Sequence, residues 1–271
     1  MNICLFKPEE INQILDSKDE RAVHLNRVLH KKTGDTFSAG IIGGQAGTAV
    51  ITNMIEKANE KTGKTEYAYE FSFSPETDGK KLFPLVMIIG FPRPIQLKRL
   101  LRDIAALGVC EVHLTGTELG EKSYMQSTLV ERGAAYQMLL DGTVQAASTH
   151  VPELFLHSTL SECLDSLGEN VFQKYALDNI RPKDSLQNLV DQIKENSVLS
   201  NSTEKSSAKK TSLQPRVAAA IGSERGWTDK ERSLLSERGF TLCSMGNRVM
   251  RTETAATVSA SIILSSLGFL C

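Results

Sequence analysis

The arrangement of apolar and polar positions divides the chain in two. Up to about residue 78 it has strand character. Asp35 to Ile51, DTFSAGIIGGQAGTAVI, sets two apolar stretches around Gly43-Gly44, a hairpin signal. Tyr67, Tyr69, Phe71 and Phe73 recur at period two, which predicts another strand. One helix is predicted over Glu20–Lys31, with Ala22, Leu25, Val28 and Leu29 as its apolar stripe. Arg21, His24, Arg27 and Lys31 lie off that stripe. Residues 1–78 therefore read as a small β-barrel with one helix and a local basic face. Pro75, Gly79 and Pro84 mark a linker.

From about residue 82 to 271, short apolar runs alternate with stretches of helical spacing. Strands are predicted at Leu85–Ile89, Val109–Leu114, Val171–Leu177, Arg216–Ile221 and Phe240–Ser244. Pro94 opens a helix that carries Leu97, Leu100, Leu101, Ile104 and Leu107, and Gly108 ends it. A long helical stretch is expected near Gln126–Leu140. Thr228 and Glu231 form a capping box at the start of a helix that Gly239 closes, and a last helix spans Thr252–Leu267. This alternation implies an α/β domain with a parallel sheet. Ser197–Ser212, SVLSNSTEKSSAKKTS, is nearly devoid of apolar residues and reads as a mobile insert, about 197–212.

Composition narrows the class. The 271 residues hold 31 Lys+Arg against 32 Asp+Glu, with 41% hydrophobic and 23% charged residues. These are globular values, and they exclude a histone-like polycation while leaving room for a local nucleic-acid patch. The five cysteines are scattered and include no C-x-x-C pair, which argues against a disulfide framework and a structural zinc site. The expectation is a cytoplasmic protein with reduced thiols, no metal, no signal peptide and no membrane span: the apolar run from Ala260 is short and broken by Ser265, Ser266 and Gly268.

In an open α/β sheet, ligands bind where strands lead into helices. Three such loops stand out: Ile221-Gly222-Ser223-Glu224-Arg225-Gly226-Trp227, Ser244 to Arg251, and Leu177-Asp178-Asn179. The first is not a dinucleotide or P-loop fingerprint, so a doubly wound nucleotide-binding enzyme ranks last. RVMRTET, Arg248–Thr254, puts arginines at a helix N-terminus. A cation is unfavourable beside that positive end, so Arg251 calls for a carboxylate partner or an anionic ligand.

These blocks resemble a known family. IGSERGW, Arg238-Gly239-Phe240 and Met245-Gly246-Asn247-Arg248-Val249-Met250-Arg251-Thr252-Glu253-Thr254-Ala255 are similar to the C-terminal signature of the 16S ribosomal RNA uracil-N3 methyltransferases, the RsmE type of the SPOUT superfamily. His24 to His30, followed by Gly34-Asp35, and Leu107-Gly108-Val109 resemble its earlier motifs. The resemblance implies a PUA-like β-barrel (1–78), then a SPOUT-type α/β domain (82–271) with a C-terminal trefoil knot. It implies a homodimer that binds S-adenosylmethionine (SAM) and acts on ribosomal RNA or the small ribosomal subunit. By motif position, Ile221, Gly222, Gly226, Met245, Gly246, Val249, Met250 and Ala255 would hold SAM, with Asp178 from the third loop. Arg251 would stabilise the uracil N3 anion, and Glu253 is the candidate proton acceptor. Arg21, His24, Arg27, Lys31, Lys98 and Arg102 are the candidate RNA contacts. Ser223 and Arg225 stand where the family has proline and glycine. An arginine forced to positive φ would cost about 1 kcal/mol or more. The alternatives are a SPOUT paralogue methylating another RNA and an RNA-binding protein that has lost SAM.

Overall fold

The structure, a computed structural model, describes residues 2–58, 65–126, 133–168, 171–193 and 216–270. The chain forms two compact units, Met1–Lys81 with Thr143–Val151, and Leu82–Gly142 with Pro152–Cys271.

The first unit contains β1 (Cys4–Phe6), α1 (Glu20–Arg27), β2 (Thr36–Ile41), β3 (Ala46–Ala58) and β4 (Thr65–Thr77). They make a four-stranded sheet in the order β1-β2-β3-β4, with β1 parallel to β2 and the other pairs antiparallel. The hairpin turns at Gly43, whose φ of +73° suits a residue without Cβ. Phe6, Leu25, Ile51 and Tyr69 are fully buried in the core, which α1 covers. Helix α1 is shorter than predicted. Asp19 caps it by accepting from Arg21 N–H, and it ends at Arg27. His30 sits at φ +49°, which stops the helix and leaves Val28 and Leu29 exposed instead of in the stripe. Residues 143–151 join this unit through Thr149: its hydroxyl donates to Gly44 O at 2.6 Å, and its carbonyl accepts from Gly43 N–H at 2.8 Å.

The second unit holds β5 (Phe83–Gly90), α2 (Pro94–Ala106), β6 (Val109–Thr115), α3 (Lys122–Met125), α4 (Ala134–Gln145), β7 (Glu153–His157) and α5 (Leu160–Ser166). It continues with β8 (Val171–Leu177), β9 (Asp184–Ser185), β10 (Arg216–Ile221), α6 (Asp229–Glu237), β11 (Thr241–Ser244) and α7 (Thr252–Ser266). The end of α4 belongs to the first unit. Seven strands pair in the order β7-β6-β5-β10-β8-β11-β9, all parallel. The central strands are buried on both faces, which is why Leu85–Ile89 and Val217–Ile221 read as continuous apolar runs. Helix α7 buries Ala256, Ala260, Ile263 and Leu264 and packs against α2, β5 and β10. The expected helix near 126–140 begins at Ala134 among the described residues; the insert at 197–212 lies outside them. No helix among the described residues is long and apolar enough to cross a membrane.

Candidate functional site

The three loops singled out by the sequence meet in one cleft at the carboxyl ends of β8, β10 and β11. Ile221, Gly222, Gly226, Met245, Val249, Met250 and Ala255 line it. Gly246 lies within the same loop at φ +103°. Leu177, Asn179, Ser223, Glu224, Arg248 and Thr252 complete the wall. Thr252 is the least legible of these, because T-E-T-A at a helix start looks like capping. Here it is buried, and its hydroxyl donates to Gly222 O at 3.4 Å, so the start of α7 is tied to the loop thirty residues earlier.

Glycine is required at the loop after β10. A Cβ on Gly222 would lie 2.9–3.1 Å from the backbone of Gly226, and Gly226 itself sits at φ +71°. Arg225 is not strained. Asn12, His30 and Ala147 are the non-glycine residues at positive φ among the described residues. Its guanidinium points to Glu121, 3.6 Å away, and does not line the cleft. Trp227 closes the loop from beneath: it is buried, and its indole N–H donates to Leu177 O at 3.0 Å.

Asp178 takes a different place from the one expected. Its carboxylate lies outside the lining, buried against Arg232, with Nη2 3.0 Å from Oδ1 and Nε 3.1 Å from both oxygens. Arg181 N–H donates to Oδ2 at 2.7 Å. Burial alone would raise the Asp178 pKa, but the hydrogen bonds and charge of Arg232 outweigh it and hold the carboxyl below the usual range. The same contacts raise the pKa of Arg232. The pair therefore fixes the loop whose neighbours Leu177 and Asn179 face the cleft.

Arg251 and Glu253 also stand outside the lining, at the N-cap and in the first turn of α7. Arg251 is exposed, and among the described residues neither it nor Arg248 makes an ion pair. Of the candidate RNA contacts in the first unit, Arg21 has all five donors spent, on Asp19, Glu10 and Leu5 O. Its guanidinium also lies over Phe6, so it pins α1 to β1 instead of offering a free charge. His24 and Lys31 are half-buried; Arg27 is exposed, 3.6 Å from Glu66. In the second unit Lys98 is exposed and Arg102 pairs with Asp141 at 2.9 Å.

The cleft encloses about 80 Å³. A larger cavity of about 780 Å³ lies between Thr117, Met125, Thr159 and Leu234, and shares no lining residue with the cleft. Size favours the larger cavity. The convergence of three strand-end loops, two constrained glycines and a helix start makes the smaller the candidate site.

The sequence model of the RNA methyltransferase domain matches residues 79–264. The chain is 37% identical over 273 residues to ribosomal RNA small subunit methyltransferase E of Treponema pallidum, covering 98% of this chain and 91% of the relative. It is 29% identical over 266 residues to ribosomal RNA small subunit methyltransferase E 1 of Borreliella burgdorferi, covering 98% of each. The chain belongs to the ribosomal RNA small subunit methyltransferase E family. The fold is similar to that of a Legionella pneumophila methyltransferase solved with SAM, with a TM-score of 0.70 at 20% identity over 98% of both chains. It is also similar to the Neisseria gonorrhoeae ribosomal RNA small subunit methyltransferase E solved with SAM, with a TM-score of 0.66 at 19% identity over 98% of this chain and 97% of that one.

Proposed function

We propose that this protein transfers the methyl group of SAM to N3 of a uridine in small-subunit ribosomal RNA. The observation that carries the reading is the cleft itself, in which motif residues from three strand-end loops face one another. The residues present suit SAM. Ser223 Oγ is buried in the cleft wall without a hydrogen-bond partner among the described residues, an acceptor or donor waiting for a polar ligand. Ile221, Val249 and Met250 supply apolar surface for an adenine, and the constrained backbone around Gly222 and Gly226 supplies polar groups that need no side chain. At about 80 Å³ the cleft is tighter than the roughly 300–1,000 Å³ of an ordinary small-molecule site, so the exposed edge at Arg248 and Val249 must open for entry.

When bound, SAM supplies an electrophilic sulfonium methyl. The chain's own task is to hold the base and manage its charge. Uracil N3 must lose its proton before it attacks, and the anion spreads over N3, O2 and O4. Arg251, exposed and with no carboxylate partner among the described residues, is the proposed counter-charge for that anion. Glu253, half-buried in the same turn, is the proposed proton acceptor. Because N3 lies on the pairing edge, the target base must be unpaired.

The finer architecture belongs to the same proposal: a PUA-like barrel in the first unit for RNA, a trefoil knot at the carboxyl end, a homodimer and a cytoplasmic location. The path of the chain supports the knot, since after β11 on one side of β8 it returns as α7 to pack beside α2 and β5. The reading that SAM binding is lost has no support, because Arg225 leaves the cleft clear. Trp227 is the single tryptophan, and it bonds to the cleft residue Leu177. Titration with SAM should therefore give both a calorimetric signal and a change in its fluorescence. Absence of binding refutes the whole reading. Mass-spectrometric mapping of ribosomal RNA from a deletion strain should show loss of one N3-methyluridine; if that mark persists while SAM binds, the assigned target is wrong.

A further inference from the structure

Away from the cleft, three side chains with metal-ligating atoms meet in the interior of the second unit. His113 on β6, His157 at the end of β7 and Cys163 on α5 are all buried. The parallel register pairs His113 with Phe155 and Thr115 with His157, so the two histidines share one face of the sheet as diagonal neighbours. Helix α5 packs across β6 and β7 and brings Cys163 to them. His113 Nδ1 lies 3.0 Å from His157 Nε2, with the rings parallel to within 6°. One donor atom from each of the three residues lies within 4.8 Å of the others.

We propose that this cluster is a binding site for a thiophilic d¹⁰ cation of the Zn²⁺ or Cu⁺ class. Two imidazoles and a thiol form a soft nitrogen–sulfur donor set, which suits those ions and not Mg²⁺ or Ca²⁺. The geometry is close to closed. Metal–nitrogen bonds of about 2.0–2.1 Å and a metal–sulfur bond of about 2.3 Å require separations of roughly 3.4 Å between nitrogens and 3.6 Å from nitrogen to sulfur. The imidazoles must part by a few tenths of an ångström and tilt, and the thiol must close by about 1 Å. The surroundings already carry the support such sites use. His113 Nε2 is 3.4 Å from Glu111 Oε2, a carboxylate on the far nitrogen that turns the Nδ1 lone pair inward, toward His157, whose hydrogen bond to it an ion would replace. Glu111 is in turn held by Arg216. Glu111 and Arg216 cancel, so a thiolate with a monovalent ion leaves the buried cluster neutral, which favours Cu⁺ over Zn²⁺. The sequence reading expected no metal because it weighed only cysteine spacing; His113 and Cys163 are fifty residues apart and meet only in the fold.

The test uses the full-length protein, reduced and stripped with a chelator. Zn²⁺ and Ag⁺, the latter a redox-inert stand-in for Cu⁺, are titrated separately against a chromophoric competitor, with a thermal melt at each endpoint. One equivalent should bind at least 100-fold more tightly to the wild type than to Cys163→Ala or His157→Gln, with an upward melting shift that both variants lose. Cys163→Ala keeps the other four cysteines, so it separates this site from adventitious thiol binding. Tighter binding of Ag⁺ identifies the monovalent class, and tighter binding of Zn²⁺ the divalent one. If neither ion binds more tightly than micromolar, or Cys163→Ala binds as the wild type does, the cluster is a hydrogen-bonded core network and the proposal falls. Should the variants not fold, native mass spectrometry of the wild type decides: a 1:1 adduct whose metal stays, on top-down fragmentation, with fragments that hold Cys163 supports the site, and its absence overturns it.

Discussion

Replacing Arg232 with leucine should cost far more than the loss of a surface charge. Its side chain is 7% exposed and that of Asp178 is 3% exposed. Leucine removes every contact Arg232 makes to Asp178 and also its 3.1 Å bond to Asp229. What remains is a buried carboxylate with only the backbone N–H groups of Arg181 and Ile180 to satisfy it. Stranding one member of a buried pair costs about 3–5 kcal/mol, against a stability of about 5–15 kcal/mol for an ordinary domain. For a unit of this size that corresponds to a fall of roughly 6–20 °C in Tm. Urea unfolding followed by Trp227 fluorescence measures it, since that indole is buried beside the same loop. Asp178→Asn combined with Arg232→Leu should recover most of the loss, because the buried charge is gone. The single variant should also bind SAM more weakly, as Leu177 and Asn179 lose their anchor. If Arg232→Leu unfolds within 1 kcal/mol of the wild type, or the double variant is no better than the single, the pair does not hold the loop.

The pH dependence of that pair has a definite sign. With the folded pKa of Asp178 below its unfolded value, its contribution is complete above about pH 4 and is lost as pH falls through the folded value; the stability difference between wild type and Asp178→Asn should stay constant from pH 7 to 5 in urea titrations. Gly222→Ala puts a Cβ against the Gly226 backbone and should weaken SAM binding at least tenfold in calorimetry, with an unchanged circular dichroism spectrum. Arg251→Ala should lower kcat by about 10²-fold while SAM affinity changes less than threefold, since it lies outside the cleft wall; near wild-type turnover would remove it from the mechanism. Arg225→Gly should leave SAM affinity unchanged, and a marked gain would show that the guanidinium obstructs the cleft.

The long elements were legible because their patterns repeat: the leucines of α2, the Thr228–Glu231 box of α6 and the apolar runs of β5 and β10 occur where the periodicity put them. The short ones were not. β1 has three residues, too few to show a period, and β7, ELFLH, is an edge strand whose Phe155 and Leu156 are exposed. Most of the cleft wall followed from strand-end loops and motif positions. What the sequence could not reveal were pairings across the fold: Asp178 with Arg232, Arg21 with Glu10 and Thr252 with Gly222. Each depends on side chains that are distant in the chain, and polar residues announce neither their partners nor their burial.

The order of the central strands has a consequence for biosynthesis. β10 sits between β5 and β8, so both earlier strands await a neighbour made well over a hundred and about forty residues later, respectively. A nascent chain halted before residue 216 would hold two unsatisfied sheet edges in the middle of its largest unit, a natural substrate for chaperones and a seed for association between ribosome-bound copies. Such nonlocal closure also predicts slow refolding from denaturant, limited by the late arrival of one alanine-rich segment.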